Sequence, residues 1–392
     1  MQPIYLDYNA TTPVDPAVVE AMLPFLHTNF GNPSSAHAPG HVARDAIETA
    51  RAQVAGLIGA NADEIIFTSG GTEASNMAIA GAASRESGRR VIVTTAIEHP
   101  ATEATCAAME QRGYSVRRIA PRADGRVDPA TMTAAIGADT ALVSVIHAQN
   151  EIGTLQPVTE IAAAARRHGA LMHADAAQSL GKIKVDVRTM GVDLLSIAGH
   201  KLYAPKGIGA LYARRGVQLQ PILFGAGQEH GRRPGTENVA GIVALGRACV
   251  LAAEHLQHEQ GRLAHLRDRL LAGLQQEIPG LKLAGHPTDR LPNTLNVLFP
   301  GVSGRVLLQN CPHVLASTGS ACHADREDPS AILLAMGIPA EEALGAVRLS
   351  LGRYVADGDI AGAVANLVSA WRPTAQTNPA NKPAQKPVKA SA

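Results

Sequence analysis

The chain contains few of the residues that mark several common protein classes. Only 3% of its 392 residues are aromatic, and its four cysteines form no C-x-x-C pair. The sequence therefore lacks zinc-ribbon and thioredoxin motifs, and four thiols in a chain this long do not make a disulfide framework. We expect reduced thiols and no metal site.

Charge of one sign and long apolar runs are also scarce. The formal net charge is +1, which gives no reason to expect a nucleic acid or an anionic membrane as partner. The start, MQPIYLDYNA, has no basic segment followed by an apolar one, and no uninterrupted apolar run approaches the roughly 18 residues of a membrane span. With 46% hydrophobic residues, the chain is predicted to be a globular cytoplasmic protein.

Short β-type runs alternate with Ala-rich helical runs between residues 60 and 215. The predicted helices are 72–83 and 158–169. The predicted strands are 64–70, 91–97, 141–147, 170–176, 193–199 and 209–215. Apolar strands with helical crossovers predict an α/β fold with a mainly parallel sheet, of about seven strands, covered on both faces.

The second half of the chain has a different pattern. Residues 243–278 read as one long helix, and 293–300, 313–318 and 346–352 as strands of a smaller α+β domain. From residue 374 onward the chain is rich in Pro, Lys and Ala and lacks acidic and aromatic residues. We predict a large domain at 16–256, a small domain from 1–15 and 257–372, and a disordered tail at 373–392.

Polar residues follow the strands at the edge where ligands bind in parallel sheets. The turn Gly70-Gly71-Thr72 is either a phosphate seat or a simple helix cap, and it is not a Walker A loop. Asp175 is either a turn residue or a buried carboxylate for a protonated ring nitrogen, and Lys201 is either a solvated turn lysine or a Schiff-base lysine. Together the three match pyridoxal phosphate (PLP).

Longer stretches carry a resemblance to a known family. They are YLDYNATTPVDP (5–16), NFGNPSSAH (29–37), IIFTSGGTEASN (65–76), EHPA (98–101), QNEIGTLQPV (149–158), HADAAQSLGKIKVDV (173–187), GHKLYAPKGIGALY (199–212), RRPGTEN (232–238), STGSACHADREDPSAIL (317–333) and VRLSLGRY (347–354). Over roughly residues 3–365 the chain resembles the cysteine desulfurases and selenocysteine lyases, which are class V aminotransferase-like PLP enzymes of fold type I.

The resemblance implies a role for each matching residue. Lys201 would bind the cofactor covalently and move the substrate's α-proton, His99 would stack on the ring, and Cys322 would accept sulfur. The residues implied in cofactor binding are Gly71, Thr72, His99, Asn150, Asp175, Gln178, His200, Lys201 and, from the other subunit of a homodimer, Thr236. Asn32 and Arg348 would bind the substrate.

The implied reaction converts L-cysteine to L-alanine and leaves a persulfide on Cys322. The thiolate is the reactive form, so Cys322 needs a basic partner, for which His323 and His99 remain open. The sulfur would pass to a protein acceptor such as an iron–sulfur scaffold. Cys106, Cys249 and Cys311 fit ordinary buried cysteines better than Cys322 does.

Two positions depart from the desulfurase pattern: Ala198 replaces a phosphate-binding Ser, and Gln149 replaces the first Asn of Asn-Asn-Glu. Ala198, RPGTEN and the Ala-Cys-His around Cys322 favour a selenocysteine lyase. The six residues between Cys322 and Pro329 favour a desulfurase, which we place first.

Three further alternatives rank lower. An aminotransferase would give Cys322 no role, and a non-catalytic scaffold would not need both Lys201 and Cys322. A zinc site from Cys311, His313, Cys322 and His323 has no standard spacing.

Overall fold

The computed structural model describes residues 3–84, 88–319 and 328–377. Its strands are β1 (Ile4–Tyr5), β2 (Ile65–Thr68), β3 (Val91–Thr95), β4 (Ser115–Ile119), β5 (Thr140–Ile146), β6 (Leu171–Asp175), β7 (Leu194–Ala198), β8 (Gly209–Ala213), β9 (Lys282–Ala284), β10 (Thr294–Leu298), β11 (Val314–Leu315) and β12 (Ala346–Ser350). Its helices are α1 (Pro16–Met22), α2 (Pro24–His27), α3 (Ala38–Ile58), α4 (Gly71–Asn76), α5 (Pro100–Gln111), α6 (Pro129–Ala135), α7 (Val158–Arg167), α8 (Val187–Met190), α9 (Val239–Glu277), α10 (Gly304–Gln309), α11 (Ala331–Ala335), α12 (Ala340–Leu344) and α13 (Asp357–Thr377).

Seven of the described strands form one sheet in the order β2-β8-β7-β6-β5-β3-β4. Within it, β8 alone runs against its neighbours, and the other pairs are parallel. This confirms the predicted mainly parallel sheet. Edge strand β4 was not predicted, because Arg117 and Arg118 interrupt its apolar pattern and its side chains are only partly buried.

Both faces of the sheet are covered, as predicted. Ile65 and Phe67 pack into a core with α3, α7 and α9 on one face, whereas Ile66 packs with α4 and α5 on the other. Successive residues of a strand point to opposite faces, so a strand buried on both sides must be apolar throughout. This explains the uninterrupted apolar runs in the sequence.

The smaller unit is built on an antiparallel sheet in the order β12-β10-β9. Its core combines these strands with α13 and with Leu266, Leu270 and Leu274 from the second half of α9. Strand β1 pairs with β11, which attaches the start of the chain to this unit. The core of this unit is separate from the cores on the two faces of the large sheet, which supports the division at residues 16–256; that division remains a prediction.

Helix α9 is long and apolar enough to cross a membrane by length and composition. The sequence shows no uninterrupted run there because Arg247 and Glu254 divide it. In the structure 56% of the apolar window is buried inside the protein, where α9 packs on α1, α3 and α13. Packing within the protein therefore accounts for its apolar composition.

Several predicted boundaries were wrong. Helix α13 continues to Thr377, so residues 373–377 are helical rather than part of a tail. The predicted strand 313–318 is reduced to Val314–Leu315. By contrast, the predicted helix 72–83 is confirmed to within one residue: it begins as α4 and continues through a π-helical turn at Met77–Gly81 to residue 83. The remainder of the tail lies outside the described residues.

Candidate active site

A cavity of about 370 Å³ lies at the carboxyl ends of the parallel strands. This volume is within the usual range for sites that bind small molecules and cofactors. Nine of the residues predicted for the site line it: Gly71, Thr72, His99, Asn150, Asp175, Gln178, His200, Lys201 and Arg348. The sheet topology thus brings together residues that are separated by up to 277 positions (348 − 71) in the sequence.

Lys201 follows β7 in a short 3₁₀ turn, Gly199–Lys201. Its Nζ donates hydrogen bonds to the main-chain oxygens of Asn9 and Ala10 at 2.5 and 2.6 Å. Burial lowers the pKa of its ammonium to about 8, and the nearby Arg348 guanidinium adds to this shift. The amine is therefore neutral in a large fraction of molecules near pH 8.

Asp175 is the last residue of β6, and its carboxylate is buried. Its Oδ1 accepts a hydrogen bond from the Ala177 N–H at 2.9 Å. Burial raises the pKa of this carboxyl, while His99 and Lys201 oppose the shift. A carboxylate in this position favours a cationic ligand group such as a protonated ring nitrogen.

His99 caps the N-terminus of α5 and accepts the Ala101 N–H at Nδ1, at 3.1 Å. Because Nδ1 accepts, the neutral ring carries its proton on Nε2. Burial lowers the pKa of His99, and Lys201 contributes in the same direction. The ring is therefore held in a fixed orientation at the cavity wall.

The turn that precedes α4 depends on two glycines. Gly70 has φ 155, in the region that favours glycine. A Cβ at Gly71 would lie 3.1 Å from the Ala198 Cβ, which is closer than most Cβ contacts and would require a neighbour to shift. Thr72 follows in the first turn of α4, so this wall of the cavity is built from closely approaching backbone.

His200 lies beside this wall, and its Nδ1 is 3.2 Å from the Thr11 Oγ1. Burial lowers its pKa to about 4, with smaller contributions from Lys201 and Lys206. The ring is therefore neutral at physiological pH, and it can donate a hydrogen bond without bringing a second positive charge beside Lys201.

Gln178 is oriented by two neighbours. Lys182 donates from Nζ to the Gln178 Oε1 at 2.7 Å, and the Gln178 Nε2 donates to the Asn9 main-chain oxygen at 2.9 Å. The Asn9 main-chain oxygen can only accept, so the Gln178 Nε2 must face it and the amide has one favoured orientation. Its N–H groups therefore lie on the side of Asn9 and Lys201.

Arg348 lies in the middle of β12 and is 5% exposed. Its Nη2 donates to the Asp7 Oδ1 at 2.8 Å and its Nη1 to the Asn150 main-chain oxygen at 3.2 Å. Its buried Nε has no hydrogen-bond partner among the described residues. A buried donor of this kind favours an acceptor such as a substrate carboxylate.

The other predicted residues are placed differently. Asn32 and Thr236 are exposed and do not line this cavity within the single chain. Cys322 and His323 lie outside the described residues. Cys106, Cys249 and Cys311 are buried, as predicted, and burial raises the pKa of the Cys106 and Cys249 thiols to about 12.

The sequence reasoning missed residues that support the site. Asn9 contacts both Lys201 and Gln178 through its main chain, and its Oδ1 accepts from Lys182 at 3.1 Å. Its place in the first matching stretch was the available signal. Gln149, noted only as a departure, accepts the Glu151 N–H at its Oε1, at 2.6 Å. This bond shapes the turn that contains Asn150.

Comparisons with known proteins bear on this geometry. The sequence profile of the family described as aminotransferase class-V matches residues 4–362. The chain belongs to this family. It is 49% identical over 364 residues to a cysteine desulfurase of Gluconacetobacter diazotrophicus, an alignment that covers 92% of this chain and 91% of that protein.

Solved structures agree with this assignment. A NifS-like protein is similar with a TM-score of 0.88 and 35% identity, covering 94% of this chain and 99% of that one. A structure described as SspA in complex with cysteine has a TM-score of 0.80 and 36% identity, covering 90% of this chain and all (100%) of that one. These similarities confirm the predicted family, the fold-type-I architecture and the prediction of a desulfurase-type enzyme.

Proposed function

We propose that this chain is a PLP-dependent cysteine desulfurase that converts L-cysteine to L-alanine and collects the sulfur as a persulfide on Cys322. The observation that carries the proposal is the presence of Lys201, Asp175 and Arg348 at one cavity, in a chain whose relatives are cysteine desulfurases. An amine, a buried carboxylate and a guanidinium with an unused donor provide the groups that a PLP–amino acid enzyme needs.

The described residues fit the cofactor. Asp175 would hold the ring nitrogen and Gln178 the ring hydroxyl, with His99 and Asn150 beside the ring. Gly71, Thr72 and His200 would hold the phosphate at the closely packed turn. The buried Asp175 carboxylate is the most specific support. Its buried surroundings disfavour an unpaired negative charge, and a protonated ring nitrogen would supply the opposite charge.

When bound, PLP supplies an aldehyde that captures amines and a ring that withdraws electrons from the substrate's α-carbon. Lys201 holds the cofactor and, once released by the substrate, its Nζ takes the α-proton. Its lowered pKa, about 8, suits this work near neutral pH because a neutral amine is available to accept a proton. The Asn9 and Ala10 oxygens hold the amine in the cavity beforehand.

Arg348 would bind the carboxylate of L-cysteine. The Cys322 thiolate would then attack the substrate sulfur, so that a sulfur–sulfur bond forms while the bond between sulfur and Cβ breaks. The electron pair of that bond remains on the carbon fragment, which takes up one proton at Cβ, regains one at Cα and leaves as alanine. Persulfide sulfur then passes to a second thiol or a protein acceptor.

A homodimer is part of the proposal, because Thr236 would complete the phosphate site of the partner subunit. Phe30 and Phe224 are 78% and 87% exposed in the single chain, and Leu26 and Leu223 are exposed near them in sequence. Large apolar side chains left exposed in this way favour contact with another protein surface. A cytoplasmic location and an iron–sulfur scaffold as acceptor belong to the same proposal.

The test supplies the purified enzyme with L-cysteine and L-selenocysteine in parallel, and measures alanine, sulfide, selenide and keto acid. We expect alanine from L-cysteine together with persulfide sulfur. Alanine from selenocysteine alone would replace this proposal with a selenocysteine lyase. Keto acid in place of alanine would replace it with an aminotransferase.

A further inference from the structure

Three consecutive residues after the central sheet have left-handed backbone conformations. Glu229, His230 and Gly231 have φ of 50, 56 and 76. For residues with a Cβ this conformation costs free energy, and runs of it are rare. Two of the three are not glycine, so other interactions must hold this turn in place.

A buried ion pair does so. Arg51 of α3 donates from Nη1 and Nη2 to the two carboxylate oxygens of Glu229, each at 2.8 Å, and both residues are buried. The Phe67 N–H donates to the same carboxylate at 2.8 Å, and Arg51 also donates to the Ile65 oxygen at 2.9 Å. A paired and fully hydrogen-bonded geometry is what makes two buried charges tolerable.

The segment 229–236 is attached to α4 at one further point, and a second contact closes it on the residue that precedes it. Arg233 donates to the Glu73 carboxylate at 2.8 and 3.3 Å, and the Gly235 N–H donates to the Gln228 Oε1 at 3.0 Å. Glu73 directly follows Thr72 of the candidate phosphate seat. Each attachment restricts the backbone just before Thr236, which itself is exposed and lies outside the chain's own cavity.

We propose that the Arg51–Glu229 pair positions the segment carrying Thr236 so that it completes the cofactor site of the partner subunit. Glu229 is thus a positioning residue that acts on the neighbouring site and not on its own. This inference rests on the proposed PLP-binding homodimer. If the pair only stabilised the fold, its loss would instead weaken cofactor binding at both sites of the dimer alike.

The experiment uses mixed dimers of the full chain, obtained by co-expressing two differently tagged chains and purifying through both tags. Lys201→Ala on one chain leaves a single chain that can be linked to the cofactor. In the first dimer, Glu229→Gln is on the chain that carries Lys201→Ala. In the second dimer, Glu229→Gln is on the chain that keeps Lys201. Borohydride-fixed cofactor is measured against the concentration of added PLP, and melting temperatures confirm folding.

In the first dimer the altered segment belongs to the chain that completes the site containing Lys201. We therefore expect an apparent Kd for PLP about tenfold higher than in the parent mixed dimer. This is the effect of losing one hydrogen bond to a charged group. In the second dimer the intact site receives an unaltered segment, and its Kd should equal the parent value. A Kd increase confined to the second dimer, equal in both, or absent from both would overturn the inference.

Glu48→Gln is the matched control, because Glu48 is an exposed second carboxylate 3.2 Å from the Nε of the same Arg51. It should leave the Kd unchanged in both arrangements. Should Glu229→Gln lower the melting temperature too far, Arg51→Lys keeps the charge without the forked geometry and should give the same one-sided pattern.

Two reference measurements separate this inference from the proposed function. If the parent mixed dimer fixes no cofactor at Lys201, the proposed function fails. If Thr236→Ala has no effect in either arrangement, the role of Thr236 in the partner's site fails. If Thr236→Ala acts on the partner's site and Glu229→Gln does not, the positioning role alone fails.

Discussion

Lys201 donates a hydrogen bond from its Nζ to the main-chain oxygen of Asn9, at 2.5 Å and across 192 positions of sequence. The same oxygen accepts from the Gln178 Nε2, and the Asn9 side chain accepts from Lys182. Asn9 thus connects the chain's first segment to three groups of the candidate site. Its Nδ2 also donates to Thr294 at 2.9 Å, which ties this site to the smaller sheet.

Lys201→Ala should abolish covalent cofactor attachment, because among the described residues Lys201 is the lysine whose amine is held by the main-chain oxygens of both Asn9 and Ala10. The protein should lose its yellow colour after dialysis and should show no borohydride-fixed cofactor by mass spectrometry. Lys206→Ala, which removes an exposed lysine on the same loop, is the control and should retain both. A fixed cofactor in the Lys201→Ala protein would contradict the assignment.

The rate at which the apoprotein combines with PLP should rise with pH and level off above about 8, the pKa of Lys201. The direction follows because burial favours the neutral amine, and only the neutral amine attacks an aldehyde. Stopped-flow absorbance across pH 6–10 measures it. A midpoint near the ordinary lysine value of about 10.4 would show that Lys201 is not desolvated as described.

Asp175→Asn should separate stability from cofactor binding. Because burial raises the pKa of this carboxyl, its ionised form is disfavoured in the folded state, and stability falls as pH rises from the unfolded pKa to the folded one. At neutral pH the apoprotein variant should therefore be more stable in urea unfolding, because the Asn side chain carries no charge to bury. Its affinity for PLP should fall at least about tenfold, the size of losing one hydrogen bond to a charged group. A lower stability in urea together with an unchanged affinity for PLP would contradict this prediction.

Arg348→Lys should raise the KM for L-cysteine about tenfold or more, with a smaller change in kcat, because an ammonium cannot form the two parallel hydrogen bonds of a guanidinium. Steady-state kinetics of alanine formation measures both constants. Arg372→Lys alters an exposed Arg–Glu pair and serves as the control. An unchanged KM in Arg348→Lys would place the substrate carboxylate elsewhere.

Cys322→Ser should keep the cofactor absorption and should lose persulfide formation, because a hydroxyl is neither ionised near neutral pH nor a soft nucleophile toward sulfur. Turnover of L-cysteine should fall far more than turnover of L-selenocysteine if selenium leaves without a thiol acceptor. Mass spectrometry of the Cys322 peptide after brief exposure to L-cysteine locates the added sulfur.

The control for Cys322 is Cys249→Ala, a change at a fully buried thiol whose raised pKa makes it unreactive. It should keep turnover and lose about 1 kcal/mol of stability to the small cavity. Parental desulfuration by a protein that lacks the Cys322 thiol would disprove the proposed route.

The sequence alone determined the features that depend on local pattern. Apolar runs such as 141–147 predicted buried strands, and the order of strands and helices predicted a parallel sheet with one ligand-binding edge. That reasoning succeeded because a strand covered on both faces must be apolar at every position. Asp175 and Lys201 could be named in advance because Asp175 ends one such strand and Lys201 lies in the turn that follows another.

Only the tertiary structure decided what depends on distant contacts. Nothing local to Asn9 indicates that its carbonyl meets Lys201, and nothing near Glu229 indicates that its carboxylate is paired with Arg51. Strand β4 was missed because an edge strand is only half buried and keeps its arginines. Desolvation penalises a buried polar group that has no hydrogen-bond partner. The partners of such groups come from residues far apart in sequence, so they are decided only when the chain folds.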